Sequence, residues 1–305
     1  MTILKAYILS ALVGAFILFV SLSVIPVLAD SVTPSVTVGN AAPSVSAVDI
    51  SPATITLTEN GTTTITITAT ITDSNGCSEV FTGGTIKAQL YRSGVSGAGS
   101  CSADPNNCYR NITMTDVGGT CAGGSDTSGN ASGTVQIWYI AEATDASSSF
   151  STETWQVEVI ATDSSNASSS ATDSTPPELS TLLALDVTAS LSYGTVAANA
   201  TSATVSASTT NTGNYNTLDA QFSGVALESG ANSIAAAQQK YSTTTSEAYE
   251  QLDYTLSTTP TFRELNIAKA TATTTPSKQG SFWAILIPAG QAAGTYNGTT
   301  TITAY

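Results

Sequence analysis

Residues 54–73 read TITLTENGTTTITITATITD, and their alternation decides the fold class. Ile65, Ile67, Ala69 and Ile71 take every second position, and Thr fills the positions between. Successive side chains of a strand point to opposite faces, so this spacing gives one apolar and one polar face. Thr is β-branched and suits that backbone. Asn60-Gly61 is a strong short hairpin signal and predicts a type I′ turn into the run from the Ile55/Leu57 stretch.

The same period recurs along the chain. TIKAQLYR (85–92) is expected to bury Ile86, Ala88 and Leu90, and RNITMTD (110–116) to bury Ile112 and Met114. TVQIWYIAEATD (134–145) offers Val135, Ile137, Tyr139 and Ala141; TWQVEVIATD (154–163) offers Trp155, Val157, Val159 and Ala161. No window of helical period competes, and short strands separated by turns predict a β-sandwich. The Ser-rich part of SSNASSSATDSTPPE (164–178) reads as a weak edge strand, and Pro176-Pro177 as a stiff boundary. A second sandwich is expected beyond it. Its strands fall in TLLALDVTASLSYG (181–194), ATVSASTTNTGN (203–214) and TLDAQFSGVAL (217–227). SFWAILIPAG (281–290) is apolar on both faces and predicts a central strand. GANSIAAAQQKYS (230–242) has room for one helical turn. A last strand with Tyr296, Ile302 and Ala304 on one face is expected to complete this second core beside the SFWAILIP strand. The reading is all-β, with two tandem sandwiches at residues 46–176 and 177–305.

Lys5, an apolar run over residues 6–24, Pro26 and the small-residue end Val27-Leu28-Ala29 make a secretory signal peptide of residues 1–29. Residues 30–45 read as a linker. The apolar run is longer than the usual signal core of roughly 7–15 residues and approaches the roughly 20 that span a bilayer. An uncleaved anchor is therefore the alternative, and either places Asp30 onward outside the cytoplasm, extracellular or at the cell surface. No Cys stands at the cleavage site to carry a lipid.

Of 305 residues, 22 are acidic, 8 basic and none is His, a formal charge of −14 that disfavours nucleic acid and anionic membranes. Membrane contact is expected only through the N-terminal segment. Without His, Ser-His-Asp and Cys-His catalysis and His-dependent zinc sites are excluded. No phosphate-binding glycine loop or nucleophile elbow appears. The expectation is a protein that is not an enzyme.

Cys77, Cys101, Cys108 and Cys121 are even in number and lack metal-site spacing, so two disulfides are expected. In a meandering strand order, residues 85–92 carry the chain from the Cys77 end to the end holding Cys101 and Cys108, and the next strand returns to Cys121. A strand of about eight residues at roughly 3.3 Å each separates those ends by over 20 Å. A disulfide allows Cα separations of only about 4.4–6.8 Å. The pairs are then Cys77–Cys121 and Cys101–Cys108.

TATITDSNG (68–76) and VEVIATDSSNASSS (157–170) resemble strand ends of bacterial and archaeal immunoglobulin-like surface domains. STTNTGN (208–214) followed by LDAQFSG (218–224), and IPAGQAAGTYNGTTTITA (287–304), resemble the terminal β-sandwich of secreted prokaryotic surface proteins. The arrangement is similar to exported proteins of candidate-phylum bacteria. The resemblance implies immunoglobulin-like sandwiches and export, and specifies no activity.

In such an order the loops holding Asp73, Asn75, Glu79, Asp116, Asp126 and Asp163 gather at one end. The plain reading of the Thr-Asp strand exits is that Asp caps its own turn. The alternative is a calcium site, since hard oxygen ligands outside a reducing compartment suit Ca²⁺. No other cofactor is expected. Sequons stand at Asn60, Asn111, Asn130, Asn166, Asn199 and Asn297; they are glycosylation acceptors where the organism has the machinery, and chance triplets otherwise. Trp138 is out of phase with Val135, Ile137 and Tyr139 and faces the opposite side, toward an interface, a ligand or a second buried face. The functional expectation is a structural surface-layer or filament protein that partners itself, anchored through its N-terminal segment or by lateral assembly; the alternative is an adhesin that binds surface glycans or cells.

Overall fold

The Ile/Thr run is a strand in the computed structural model, which describes residues 30–95 and 101–305; the segment read as a signal peptide or anchor lies outside the described residues. Strands β1 (Ser44–Ser51), β2 (Thr54–Ile55), β3 (Thr62–Thr72) and β4 (Thr85–Arg92) precede β5 (Cys108–Thr113), β6 (Thr115–Asp116) and β7 (Ser128–Trp138). β8 (Trp155–Thr162), β9 (Ser168–Thr172) and β10 (Glu178–Leu179) follow. They form two antiparallel four-stranded sheets, β1-β3-β7-β6 and β5-β4-β8-β9, with the Ser-rich β9 at an edge. Ile65, Ile67 and Ile71 from one sheet meet Leu90, Trp155, Val157 and Val159 from the other in a shared, fully buried core. Each such side chain contributes roughly 1.5–3 kcal/mol by leaving water.

A second set of strands surrounds a second core. These are β11 (Leu185–Val187), β12 (Val205–Asn211), β13 (Thr217–Gly224), β14 (Leu227–Ser229), β15 (Asn232–Ile234) and β16 (Gln239–Ser242), then β17 (Tyr254–Thr255), β18 (Thr261–Ala268), β19 (Lys278–Ile285) and β20 (Thr300–Ala304). One sheet runs β11-β12-β19-β16-β17, with β19 central; the other runs β18-β13-β20. Phe222 stacks on Tyr241 at 5.0 Å between centroids, and Tyr241 on Trp283 at 4.7 Å. Offset stacking of buried rings adds to the area they remove from water. The molecule is all-β and sandwich-like, and among the described residues no helix is long and apolar enough to cross a membrane.

Several local readings are corrected. Asn60-Gly61 is a turn, with Asn60 left-handed at φ 49°, but Gly61 does not share that conformation as type I′ requires. β2 pairs in parallel with β10 instead of folding back on β3. The order is not a simple meander, because β3 and β4 lie in different sheets. Leu179 and Leu182, past the prolines, pack on the first core, so the crossing to the second core falls after Leu182. Only Leu185–Val187 of the 181–194 stretch is strand, and β18 had no counterpart in the periodicity. Ile302 and Ala304 are half-buried against the second core, but β20 pairs with β13, in the sheet opposite β19.

Residues from Asn40 to Tyr305 form one compact unit. The ε-ammonium of Lys269 is buried where the two cores meet. It donates to Asn106 Oδ1 at 2.6 Å and Ile140 O at 2.8 Å, and lies 2.9 Å from Glu142 Oε1. All three of its donors are thereby satisfied, as a buried cation requires. Asn214 Nδ2 donates to Ala141 O at 2.9 Å, Thr212 Oγ1 to Glu59 Oε1 at 2.6 Å, and Asn60 N–H to Thr212 O at 3.0 Å. Tyr139, Ile140 and Ala270 add an apolar patch at the same junction.

A candidate cation site at one end of the first sandwich

β3 and β8 end side by side in sequence-similar exits, Asp73-Ser-Asn and Asp163-Ser-Ser. Each aspartate closes its own turn. Asp73 Oδ1 accepts the Asn75 N–H at 2.8 Å, and Asp163 Oδ1 accepts the N–H groups of Ser165 and Ala167 at 2.8 and 2.9 Å. A one-turn helix, α1 (Ser78–Phe81), follows the first exit and carries Glu79 in its opening turn. The Cys77–Cys121 disulfide fixes this loop, and Cys77 N–H donates to Asp126 O at 2.8 Å. The second disulfide, Cys101–Cys108, closes a short loop of 7 residues' separation. Such bonds persist in oxidising compartments.

Asp73, Glu79 and Asp163 each bring one carboxylate oxygen within 4.8 Å of the other two. Asp73 is 1% and Asp163 2% exposed. Asp73 Oδ2 is buried and has no hydrogen-bond partner. A buried carboxylate oxygen left without a partner is costly, and the cost is removed when a cation sits against it. Oxygens opposite one another on Ca²⁺ stand about 4.6–5.2 Å apart, given bonds of about 2.3–2.6 Å. The three carboxylates lie within that span. Among the described ion pairs, none joins a Lys or Arg to these three acids. Asn40 Nδ2 donates to Asp163 Oδ2 at 2.8 Å, and the Ala41 N–H to Asn75 Oδ1 at 2.7 Å, so the chain entering β1 rests on the same cluster. The Asn40 bond, joined by the Ala167 and Ser165 amides, holds the Asp163 carboxyl below the usual aspartate range against the opposing effect of its burial.

Two of the six expected ligands stand apart from this group. Asp116 accepts from Thr120 Oγ1 at 2.6 Å and from the Cys121 N–H at 3.3 Å, and the Thr120 bond lowers its pKa. Asp126 Oδ2 accepts the Gly123 N–H at 2.7 Å. Both are turn acceptors and neither joins the carboxylate cluster. Asn75 borders the cluster and spends its Oδ1 on Ala41. Asn40 was missed: it lies in the stretch read as linker, with no motif around it.

The six sequon asparagines are all exposed. Asn60, Asn111, Asn166 and Asn199 are left-handed, a backbone that Asn tolerates better than most residues. That preference suits asparagine to the turns at 60, 166 and 199 and to the irregular stretch of β5 at 111. Trp138 is 36% exposed and faces away from the core.

No protein-family model matches the chain, and no curated protein matches it. Among solved structures it is similar to dimeric latent PorU from Porphyromonas gingivalis, at a TM-score of 0.25 and 13% identity, over 90% of this chain and 21% of that one. The chain spans about a fifth of the length of that protein.

Proposed function

We propose that the chain is an exported, non-enzymatic structural protein of the cell surface, a component of a surface layer or filament. It is built from two immunoglobulin-like sandwiches and takes Ca²⁺ between Asp73, Glu79 and Asp163. The observation that carries the structural reading is the junction of the two cores, where Lys269 satisfies all three donors across the boundary. A buried, fully bonded cation fixes one mutual arrangement, because any slippage leaves an unpaired charge. A rigid pair of sandwiches is what an assembled coat needs. The orphaned Asp73 Oδ2 supports the calcium.

A second reading, a glycan-binding adhesin, has its own observation. Phe262 and Tyr305 are 43% and 61% exposed, and their rings meet edge-on at 5.1 Å on the outer face of β18-β13-β20. Exposed aromatic faces of this kind stack on sugars. Electron microscopy of the purified chain from Asp30 onward, beside native cell surfaces, separates the two. Sheets or filaments sharing the native repeat support the structural protein. A monomer at every concentration that binds glycans, and loses them in Phe262→Ala, replaces it with the adhesin. Calcium is tested by calorimetric titration of the chelator-treated chain. Binding that Asp73→Asn abolishes is expected, and heat unchanged by Asp73→Asn rejects the site.

A further inference from the structure

β20 lies at the edge of its sheet and pairs with β13 alone. The Tyr305 N–H donates to Asp219 O at 2.9 Å, the Asp219 N–H to Tyr305 O at 3.2 Å, and the Val225 N–H to Thr299 O at 3.0 Å. Odd-numbered residues from 299 to 305 thus spend their backbone groups on β13. Antiparallel pairing alternates, so Thr300, Ile302 and Ala304 direct their N–H and C=O to the other edge, where among the described residues no strand pairs with them. Ile302 stands opposite Phe222 and Ala304 opposite Ala220, both fully buried, yet Ile302 and Ala304 themselves are only half-buried. The core is open along this edge. Residues 291–297, which lead into β20, wall a groove of about 570 Å³ that also takes in Leu191, Tyr193, Leu227, Ile234, Ile285 and Ile287.

A segment suited to that edge lies in this same sequence. Residues 31–38 read SVTPSVTV and form no strand of their own. Val32, Val36 and Val38 are 88%, 89% and 78% exposed, and with Pro34 they hold every second position. Valines at a period of two make one apolar face of a strand, and among the described residues no strand pairs with this segment. Charge agrees. In a chain of net −14, residues 31–39, 187–204 and 287–305 contain no charged side chain, so this edge and this segment approach without repulsion.

We infer that residues 31–38 of one copy add as a strand to the free edge of β20 in a second copy. This deepens the assembly reading above and rests on it. Pro34 selects the direction. In antiparallel pairing, the core-facing residues of the added strand would be those that bond to β20, and Pro34 has no N–H to give. In parallel pairing, the core-facing residues bond away from β20, and Thr33, Ser35 and Thr37 supply the bonds. The Thr33 and Ser35 carbonyls accept from the Thr300 and Ile302 N–H groups, and the Ser35 and Thr37 N–H groups donate to the Thr300 and Ile302 carbonyls. Val36 then covers Ile302, Val38 covers Ala304, and Val32 reaches toward the groove. This is strand addition to an exposed edge, with main-chain bonds for affinity and alternate side chains for specificity.

The test uses the full chain from Asp30. This register sets Ser35 opposite Thr301, both exposed and on the solvent face. Mixing Ser35→Cys copies with Thr301→Cys copies under mild oxidation is expected to give a disulfide-linked pair of different copies, while either alone does not. Val36→Asp, an exposed change that leaves the fold intact, is expected to weaken self-association at least tenfold by sedimentation. Assemblies that persist in Val36→Asp without the Ser35–Thr301 bond overturn the inference and leave the structural reading standing on another face. A chain that stays monomeric, with no cross-link, overturns both. If a single chain carrying both cysteines closes the bond within itself, the occupant is the chain's own segment and the inference between copies fails.

Discussion

Replacing Lys269 with Met tests whether the two cores unfold as one. Met keeps most of the side-chain length and removes the charge. Three acceptors lose their donor: Asn106 Oδ1, Ile140 O and Glu142 Oε1, at 2.6–2.9 Å. Bonds to a charged group are worth about 1.5–3 kcal/mol each, an upper sum of roughly 4.5–9 kcal/mol. That sum overshoots, because burying the ammonium was itself costly and Met returns some apolar contact. Breaking one partner of a buried pair gives about 3–5 kcal/mol, and the Lys269 and Glu142 side chains, at 4% and 17% exposed, are buried enough for that range. For a unit of this size each kcal/mol moves Tm by about 2–4 °C, so the loss is about 6–20 °C. The distinguishing readout is the shape of the transition. Calorimetry of the native chain is expected to show one cooperative peak. Lys269→Met should split it, since the junction is stripped while each core is untouched. The double variant Lys269→Met, Glu142→Leu removes the orphaned carboxylate and should recover part of the loss. A single peak moved by less than about 2 °C in Lys269→Met would falsify the account of the junction.

The two disulfides should differ in worth. Chain-entropy estimates for separations of 44 and 7 residues give about 4 and 2.5 kcal/mol, so Cys77→Ser with Cys121→Ser should lower the denaturation midpoint more than Cys101→Ser with Cys108→Ser. Equal losses in urea titrations would contradict this. The pH dependence follows from Asp163 and Asp116, both held below the ordinary aspartate value of 3.8. A depressed carboxyl contributes stability that is fully present above its unfolded pKa and is lost as pH falls through the folded one. With no His in the chain, melting temperature in chelator should therefore be level from about pH 7 to 5 and fall below about pH 4. A decline already under way between pH 7 and 5 would point to groups other than these.

The strands of the first sandwich were legible because one face is buried and the other wet, so Ile65, Ile67 and Ile71 must alternate with Thr. β18 was not, and its geometry says why. Its register shifts against β13 between Leu218 and Ala220, Asn266 is left-handed, and Phe262 faces solvent. A bulge breaks the period of two on which the reading depends. The turn at Asn60-Gly61 misled for a related reason: dipeptide chemistry specifies the bend but not the partner, and β2 finds β10 over a hundred residues away. The prolines at 176 and 177 marked a stiff point without marking the edge of a core. Leu179 and Leu182 lie beyond them and still belong to the first.

For the acids, sequence supplied candidates and topology chose among them. The expected ligands sit at strand ends and in the segments that follow them, and any Asp at such an exit can bond its own backbone. Asp116 and Asp126 do only that, through Thr120, Cys121 and Gly123. Asp73 and Asp163 also cap their turns, but β3 and β8 belong to facing sheets, and their common end brings the two exits together with Glu79. Within the cluster, Asp73 and Asp163 differ in the second oxygen. Asp73 Oδ2 is buried and unpartnered, whereas Oδ2 of Asp163 is held by Asn40. No local motif encodes that difference. The entering chain bonds over this end, Asn40 to Asp163 and Ala41 to Asn75, and Asp73 beside them is almost fully buried. The same cover that makes the bare carboxylate costly makes a cation there favourable. Asn40→Ala should therefore weaken Ca²⁺ binding, because the Asn40 Nδ2 that donates to Asp163 Oδ2 ties the entering chain to the cluster; affinity unchanged in that variant would show that the cover plays no part.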